Sequence, residues 1–236
     1  MSESFLAGTS ALVTGASRGI GAAVARRLAA AGVHVHLLAR SEAPLEALAR
    51  ETAGTAWTAD LRRADSLVET LGRLTSDHGL PDLVVNSAGV FGLVPLAHTP
   101  VDLFDDALAI NLRAPFLVIR ALLPAMLARG SGTIVSIGSV AGHRAFPMNG
   151  AYSASKFGLR GLHEVLAVEL EGTGVRSTLI EPAATDTPLW DPYDPDGSPD
   201  LPDRAAMLRP EEVADAVLFA ATRPPGVRLP LLRVER

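Results

Sequence analysis

The sequence of 236 residues contains no cysteine, and lysine is nearly absent as well. Without cysteine there is no disulfide framework, no thiolate zinc site and no cysteine nucleophile. Of the 21 basic residues, 20 are arginines and the single lysine is Lys156. Arginine serves as well as lysine on most surfaces. A single retained lysine therefore indicates a position that requires an ammonium on a flexible stem.

The sequence also lacks a basic surplus and a long apolar run. A formal net charge of −5 leaves no excess of cations to neutralise phosphates, which argues against a nucleic-acid binder. Residues 1–4 lack the basic and apolar regions of a signal peptide. No apolar run approaches the roughly 20 residues that cross a bilayer. We therefore expect a soluble cytoplasmic protein with no nucleic-acid and no membrane partner.

The hydrophobic content and the order of the predicted elements indicate one α/β domain over residues 1–236. The chain is 48% hydrophobic, which suits a sizeable core and excludes disorder for its bulk. Continuously apolar strands alternate with amphipathic helices, and this pattern predicts a parallel sheet covered on both faces. The predicted strands are 10–14, 34–39, 55–59, 83–85, 133–137, 175–180 and 227–234. The predicted helices are 19–31, a helix capped by Ser41, 65–78, 154–171 and 210–222. Residues 104–128 are predicted to form one or two helices, with a break or kink at Pro115.

A long segment rich in proline and aspartate, residues 187–209, lies between the sixth strand and the last helix. A loop of this length inside a compact domain is typical of a lid or a binding loop. The alternative is an acidic surface insertion.

The first strand runs into a glycine-rich turn, residues 14–21. Gly15 permits a tight turn, Gly19 lets the backbone approach a pyrophosphate, and Gly21 lets the following helix pack close to the strand. The helix then offers free N–H groups and the positive end of its dipole to the anion. A strand before the turn and a helix after it are the context that makes the motif specific. The turn predicts a dinucleotide site.

The end of the second strand predicts which dinucleotide is preferred. Enzymes that use NAD place a carboxylate there to bind the ribose hydroxyls, but this strand ends in Ala39 and Arg40. Arg40 and Arg18 are suited to binding a 2′-phosphate, with Ser41 or Ser17 adding a hydroxyl. We therefore expect NADP(H) to be preferred over NAD(H).

Tyr152 and Lys156 lie four residues apart and so share one helix face. A neighbouring ammonium stabilises a phenolate, so we expect Lys156 to lower the pKa of Tyr152 and make it a usable general acid and base. Ser139, thirteen residues upstream of Tyr152, follows the fifth strand. Its hydroxyl is suited to binding a carbonyl oxygen or an alkoxide.

Together these motifs resemble the short-chain dehydrogenase/reductase family in its common single-domain form. The resemblance covers residues 9–187 and includes the glycine turn, Asp60, the Asn-Ser-Ala-Gly stretch 86–89, Asn111, Ser139 and the Tyr-x-x-x-Lys pair. It implies a doubly wound Rossmann-type α/β fold with a mostly parallel seven-stranded sheet in the order 3-2-1-4-5-6-7.

The resemblance also implies a role for each matching residue. Tyr152 resembles the residue that moves the substrate proton, Ser139 the one that orients the substrate, and Asn111 the anchor of a proton-relay water. Lys156 resembles the residue that lowers the tyrosine pKa and holds the nicotinamide ribose. The remaining positions match the family's cofactor-binding loops: Gly15, Ser17, Arg18, Gly19, Ile20, Gly21, Arg40, Ser41, Asp60, Leu61, Asn86, Ala88, Gly89, Pro182, Thr185 and Thr187.

The chain departs from the family pattern in three places, one of which is Thr185, where the family uses an apolar residue. The family usually has Pro-Gly after the sixth strand, and this chain has Pro182 and Ala183. The added methyl group puts the local backbone in doubt. The C-terminal residues 227–236 also lack the glycine-rich ending of relatives that reduce substrates bound to acyl carrier protein.

On the substrate side we expect a mostly apolar pocket. Five residues from the loops at the carboxyl ends of the strands are its candidates: Phe91, Phe146, Met148, Trp190 and Tyr193. His143 and Arg144 are expected to form a solvent-exposed pair. The other histidines show no metal-ligand spacing, so no metal site is predicted.

These observations predict an NADP(H)-dependent oxidoreductase that interconverts a ketone or aldehyde and an alcohol. The alternatives are a non-catalytic dinucleotide-binding regulator and an NADP-dependent isomerase, epimerase or dehydratase that uses the same Tyr–Lys pair. By resemblance, a homodimer or homotetramer forms through helices around 112–129 and 154–171. The partner otherwise expected is a small-molecule substrate.

Overall fold

In the computed structural model, residues 6–236 are described, and the expectation about residues 1–4 lies outside that range. Seven strands form one sheet in the order β3-β2-β1-β4-β5-β6-β7, and every neighbouring pair is parallel. This confirms the predicted order. The strands are Ser10–Thr14 (β1), His34–Ala39 (β2), Thr55–Thr58 (β3), Leu83–Asn86 (β4), Gly132–Ile137 (β5), Val175–Pro182 (β6) and Leu231–Val234 (β7).

Helices cover both faces of the sheet. Successive residues of β1 show how: Leu12 packs into one hydrophobic cluster, while Ala11 and Val13 pack into the other. Side chains alternate between the two faces along a strand, so a strand buried on both faces has to be apolar throughout. The helices are Gly19–Ala30 (α1), Glu42–Thr52 (α2), Ala64–His78 (α3), Val101–Leu108 (α4), Ala114–Arg129 (α5), Gly150–Glu169 (α6) and Pro210–Ala221 (α7).

The break or kink predicted at Pro115 is present as an irregular turn and not as a gap. Helical residues run without a gap from Val101 to Arg129, and the irregularity is a π-helical segment, Ala109–Arg113, that precedes the proline. Proline lacks the N–H that an α-helix would use, and a π turn changes which carbonyls are paired just before it. The chain therefore accommodates Pro115 by widening one turn.

Several element ends also differ from prediction: the helix predicted from 104 begins at Val101, and the helix predicted from 154 begins at Gly150. The last strand begins at Leu231, because Pro230 has no N–H to give the sheet and instead accepts a hydrogen bond from the Leu179 N–H at 3.0 Å. Ser41 precedes α2 as predicted, but its side chain makes no capping hydrogen bond. The other predicted strand boundaries lie within two residues of the observed ones.

The helical run Val101–Arg129 is long and apolar enough, by length and composition, to cross a membrane. The expectation that the chain holds no such segment was therefore wrong. In this fold, however, the run covers the sheet between α3 and α6 and buries Leu117, Val118 and Leu122. The core helix of a globular protein meets the same criteria, so this finding is weak evidence for a membrane span.

Candidate active site

The glycine turn joins β1 to α1 at the carboxyl edge of the sheet. Gly15 adopts a φ of +68°, and a Cβ there would lie 2.6 Å from the Ala88 Cα. A Cβ on Gly21 would lie 2.3 Å from the Gly15 carbonyl oxygen. Both distances are too short for any side chain, so only glycine allows the turn and helix to come this close. No side chain caps the start of α1, which leaves its first N–H groups free to meet an anion.

A cleft runs from this turn along the carboxyl ends of β1, β2 and β4. It is lined by Gly15, Ser17, Arg18, Gly19, Ile20, Gly21, Ala39, Arg40, Ser41, Ala59, Asp60, Leu61, Ser87, Ala88, Gly89, Val90, Ile110, Thr187, Pro188 and Leu189. The structure thus brings together most of the residues matched to cofactor-binding loops. Asn86, Pro182 and Thr185 do not line this cleft.

The end of β2 presents no carboxylate to the cleft. Arg18, Arg40 and Ser41 are all exposed there. The nearest acid in the lining is Asp60, whose carboxylate accepts a hydrogen bond from the Arg62 guanidinium at 2.8 Å. That hydrogen bond holds the pKa of Asp60 below its usual range. The acid is therefore ionised at neutral pH and already paired.

Two buried polar groups at the end of β4 have no partner. Neither side-chain atom of Asn86 is hydrogen-bonded, nor is the Ser87 hydroxyl. Buried polar groups are normally paired. The Thr14 hydroxyl beside them accepts hydrogen bonds from the Ser87 and Ala88 N–H groups at 3.1 and 3.2 Å. Unpaired groups and a glycine cradle at one edge are the features that a polar ligand such as a dinucleotide would satisfy.

Asn111 lies on the π segment and is fully buried. Its side-chain oxygen accepts a hydrogen bond from the Val90 N–H at 2.8 Å. Its side-chain NH₂ group donates to the Val90 carbonyl and to the Ser155 Oγ, both at 2.9 Å. Ser155 in turn donates to the Tyr152 carbonyl at 2.6 Å. The asparagine therefore ties the loop after β4 to the first turn of α6.

Tyr152 lies in the first turn of α6 and is partly exposed. The Ser139 side chain lowers the pKa of Tyr152, but burial raises it by more. The net pKa of Tyr152 is therefore above its usual value. The expectation of a lowered pKa was wrong for this structure because removing a phenolate from water outweighs the effect of Ser139.

Lys156 lies one turn further along α6 and is 4% exposed. Its ammonium donates to the Ile137 carbonyl at 2.8 Å and lies 5.5 Å from the centre of the Tyr152 ring. Burial lowers the pKa of Lys156 to about 8, so the side chain is mostly charged at pH 7. Sequence reasoning placed this cation correctly beside the tyrosine but overlooked the effect of burial on both groups.

After β6 the chain turns at Pro182 and Ala183. The Ala183 N–H donates to the Val234 carbonyl at 2.9 Å, and its own carbonyl accepts from the Thr185 hydroxyl at 3.0 Å. Thr187 is buried beside the glycine turn, where its Cβ lies 3.3 Å from the position that a Cβ on Gly19 would occupy. Of the two threonines, Thr187 is thus the one that reaches the cleft.

Three of the five candidate substrate residues form one aromatic cluster. The Phe91 ring is centred 5.1 Å from Tyr152, 4.9 Å from Trp190 and 5.5 Å from Tyr193. Phe146 and Met148 are not part of it. Both are exposed, and Phe146 lies beneath the Arg144 guanidinium. The role of all five in substrate binding stays a prediction.

Segment 187–209 is ordered by one arginine and one tyrosine. Arg204 pairs with Asp186 and, at 2.7 Å, with Asp191. The Tyr193 hydroxyl accepts from the Leu93 N–H at 3.3 Å and donates to the Phe91 carbonyl at 3.4 Å. The segment therefore lies across the aromatic cluster.

A buried acid, Glu181, was missed by the sequence analysis. It is fully buried at the end of β6, and its carboxylate lies 2.9 Å from His143 Nδ1 and 3.3 Å from both Arg160 Nη1 and Arg233 Nε. The expectation that His143 and Arg144 form a solvent-exposed pair was therefore wrong for His143, which lies against the buried Glu181. The only signal was a charged residue inside an apolar strand, which almost always requires a buried partner.

The strand order, the glycine turn and the cleft define a Rossmann-type α/β fold with a dinucleotide-type cleft. The family model described as short chain dehydrogenase matches residues 9–197. The chain therefore belongs to the short-chain dehydrogenase/reductase family, as its motifs predicted.

Individual relatives agree with this assignment. A D-threitol dehydrogenase of Mycolicibacterium smegmatis is 36% identical over 226 residues, which cover 92% of this chain and 87% of that protein. A short chain dehydrogenase of Pseudocercospora fijiensis is 37% identical over 196 residues, 80% of this chain. This chain spans 63% of that relative's length. It spans only 19% of the length of another relative, a glycine betaine reductase of Emericella nidulans. The crystal structure of a metagenomic short-chain oxidoreductase in complex with NADP superposes with a TM-score of 0.83 at 37% identity, covering 98% of both chains.

Proposed function

We propose that this protein is an NADP(H)-dependent oxidoreductase that interconverts a ketone or aldehyde and the corresponding alcohol. The observation that carries the proposal is the placement of Tyr152, whose pKa the Ser139 side chain lowers and whose ring centre lies 5.5 Å from the buried Lys156 ammonium. A phenol held at an apolar cluster, with a hydroxyl beside it and a cation behind it, is equipped to move one proton at an oxygen atom.

Each residue has a distinct task in this proposal. A bound nicotinamide dinucleotide supplies or accepts the hydride. Tyr152 gives its hydroxyl proton to the carbonyl oxygen during reduction, and its phenolate takes a proton from the alcohol during oxidation. Ser139 donates a hydrogen bond to the same oxygen. Lys156 places a positive charge where the phenolate forms, and the Asn111 amide holds the loop and helix that flank the site.

The preference for NADP(H) rests on the charge at the end of β2. Arg18 and Arg40 are exposed on the cleft wall, and no carboxylate occupies the position that would select the ribose hydroxyls of NAD. Two guanidinium groups favour a 2′-phosphate. The solved relative in complex with NADP supports the same preference.

The substrate class follows from the aromatic cluster. Phe91, Trp190 and Tyr193 present rings beside Tyr152. We propose that the substrate carries an apolar or aromatic group next to its carbonyl.

The test is a fluorescence titration with NADPH and NADH, followed by turnover on a panel of carbonyl compounds. We expect tighter NADPH binding, and one NADPH consumed for each alcohol formed. Tyr152→Phe should bind NADPH normally and lose turnover about 10²–10⁴-fold, the usual contribution of a general acid. Product without stoichiometric NADPH consumption would favour an isomerase or dehydratase instead. Binding without turnover on any carbonyl or alcohol would favour a regulator.

We also propose that the protein forms a homodimer or homotetramer through α5 and α6. Phe116, Leu127, Phe157, Val165 and Val168 are apolar residues exposed on these helices. Leu159 and Leu166, on the same helix as Phe157, are buried within the protomer. Light scattering on the purified protein gives the mass, and a monomer would contradict this assembly.

A further inference from the structure

Three histidines meet at the amino end of β2, the edge of the sheet opposite the cleft. His34 and His36 are two residues apart on β2, so their side chains point to the same face. His78 is the last residue of α3, which packs on that face. One ring nitrogen from each of the three lies within 4.8 Å of the others. The fold therefore gathers imidazoles from two distant parts of the sequence.

The three rings are in direct contact with one another. The ring centres of His34 and His36 are 4.8 Å apart, and those of His36 and His78 are 4.9 Å apart. The rings of His34 and His78 are stacked, with their centres 6.2 Å apart.

We propose that His34, His36 and His78 bind one divalent transition-metal ion, of the zinc, nickel or copper class. Imidazole nitrogen is a preferred ligand for all three metals. Three histidines with a fourth position left to water form an established coordination set. The ion would tie the start of β2 to the end of α3, far from Tyr152, so this proposal is independent of the proposed function.

The geometry requires only a small adjustment. Nitrogens about 2.0–2.1 Å from a tetrahedral ion are roughly 3.3 Å apart. His34 and His78 are exposed and can turn to close the remaining distance, while the buried His36 stays fixed. His34 Nε2 also lies 3.1 Å from the Thr55 hydroxyl. A hydrogen bond to the second ring nitrogen is the partner that orients a metal-bound histidine.

Trp57 provides an optical probe of this site. Its indole N–H donates a long hydrogen bond of 3.4 Å to His36 Nδ1. An ion bound to His36 would break that bond, because a neutral imidazole has one free electron pair. The Trp57 ring centre lies 5.7 Å from that of His78. The chain has only two tryptophans, Trp57 and Trp190. The Trp190→Phe variant therefore emits from Trp57 alone, and a bound Ni²⁺ or Cu²⁺ ion should quench that emission.

The experiment titrates Trp190→Phe protein, freed of metals with EDTA and dialysed, with NiCl₂ and CuCl₂. We expect saturable quenching with a stoichiometry of one ion per chain. A second substitution in the Trp190→Phe protein, His34→Ala or His78→Ala, should weaken metal binding at least tenfold, because each removes one of three ligands. Both side chains are exposed, so these variants should fold. His98→Ala, which removes an exposed histidine elsewhere, is the matched control and should quench as the parent does.

A second measurement uses the unsubstituted full chain and does not depend on emission. ZnCl₂ should raise its Tm, EDTA should reverse the rise, and the rise should be lost in His34→Ala and His78→Ala but kept in His98→Ala. If quenching does not saturate, or if both histidine variants bind and are stabilised like the parent, the proposal is wrong. The three rings and Trp57 would then form an aromatic cluster and nothing more.

Discussion

The cleft at the glycine turn and the region around Tyr152, the tyrosine end of the candidate site, are built in contrasting ways. At the glycine-turn end, the groups that would meet a phosphate are exposed side chains, Arg18 and Arg40, on a backbone that only glycine permits. At the tyrosine end, Lys156 and Glu181 are buried, and their partners belong to four separate elements or loops. Side chains at the first end can change without disturbing the fold, whereas those at the second end also support it.

The sharpest test of the tyrosine end is its pH dependence. Burial holds the pKa of Tyr152 above its usual value near 10, so the phenolate fraction rises about tenfold per pH unit throughout pH 7–9. Alcohol oxidation needs the phenolate and should increase over those two units. The rise should be less than about 100-fold, because Lys156, whose pKa burial lowers to about 8, loses the charge that stabilises the phenolate in the same range. Reduction needs the phenol and should stay nearly constant. Cofactor affinity measured at each pH is the control. A flat oxidation profile would show that the catalytic base ionises below pH 7.

At the glycine-turn end we expect effects on cofactor choice alone. Arg18→Ala or Arg40→Ala should weaken NADPH binding about 10–100-fold, since a charge-assisted hydrogen bond contributes about 1.5–3 kcal/mol. NADH binding and Tm should hardly change. Arg50→Ala, an exposed arginine on α2, is the matched control. Equal losses of affinity for NADH and NADPH would mean that these arginines do not bind the 2′-phosphate.

The buried acid tests the claim that the tyrosine end supports the fold. Glu181→Gln keeps the side-chain shape but removes the charge that faces His143, Arg160 and Arg233. We expect the free energy of unfolding in urea to fall by about 1–3 kcal/mol, the range for losing a hydrogen bond to a charged group. Glu164→Gln removes an exposed partner of Arg160 and should cost less than about 0.5 kcal/mol. If both variants are equally stable, the buried cluster contributes no net stability.

The smallest effect is expected where segment 187–209 crosses the aromatic cluster. Tyr193→Phe removes two long hydrogen bonds, of 3.3 and 3.4 Å, and leaves the ring in place. The loss should be below about 1 kcal/mol, so KM should rise less than about fivefold while kcat is unchanged. A larger fall in kcat would show that the hydroxyl acts on the reaction and not only on the segment.

Local signals explain why so much of the fold was predictable. Apolar strands such as Leu83–Asn86, and the glycine turn, can be identified from a few consecutive residues. The π segment cannot, because it depends on how a whole helix accommodates Pro115. The boundary of β7 likewise depends on the sheet edge that Pro230 meets.

The grouping of the candidate site residues was predictable from the sequence, but their electrostatics were not. Tyr152 and Lys156 share a helix face in any helix, but the sign of the tyrosine pKa shift depends on how deeply the fold buries it. The partners of Glu181 come from a loop, a helix and another strand, so no sequence spacing reveals them. The same holds for His78 beside β2.

The scarcity of lysine makes the site chemically addressable. Acylating reagents attack neutral amines. An ordinary lysine with a pKa near 10.4 is less than about 1% neutral at pH 8. Lys156, whose pKa burial lowers to about 8, is about half neutral at that pH and is the only lysine in the chain. Apart from the chain's α-amino group, such a reagent has one target. A single label on the Lys156 peptide, read by mass spectrometry, would report access to the active site without background from surface lysines.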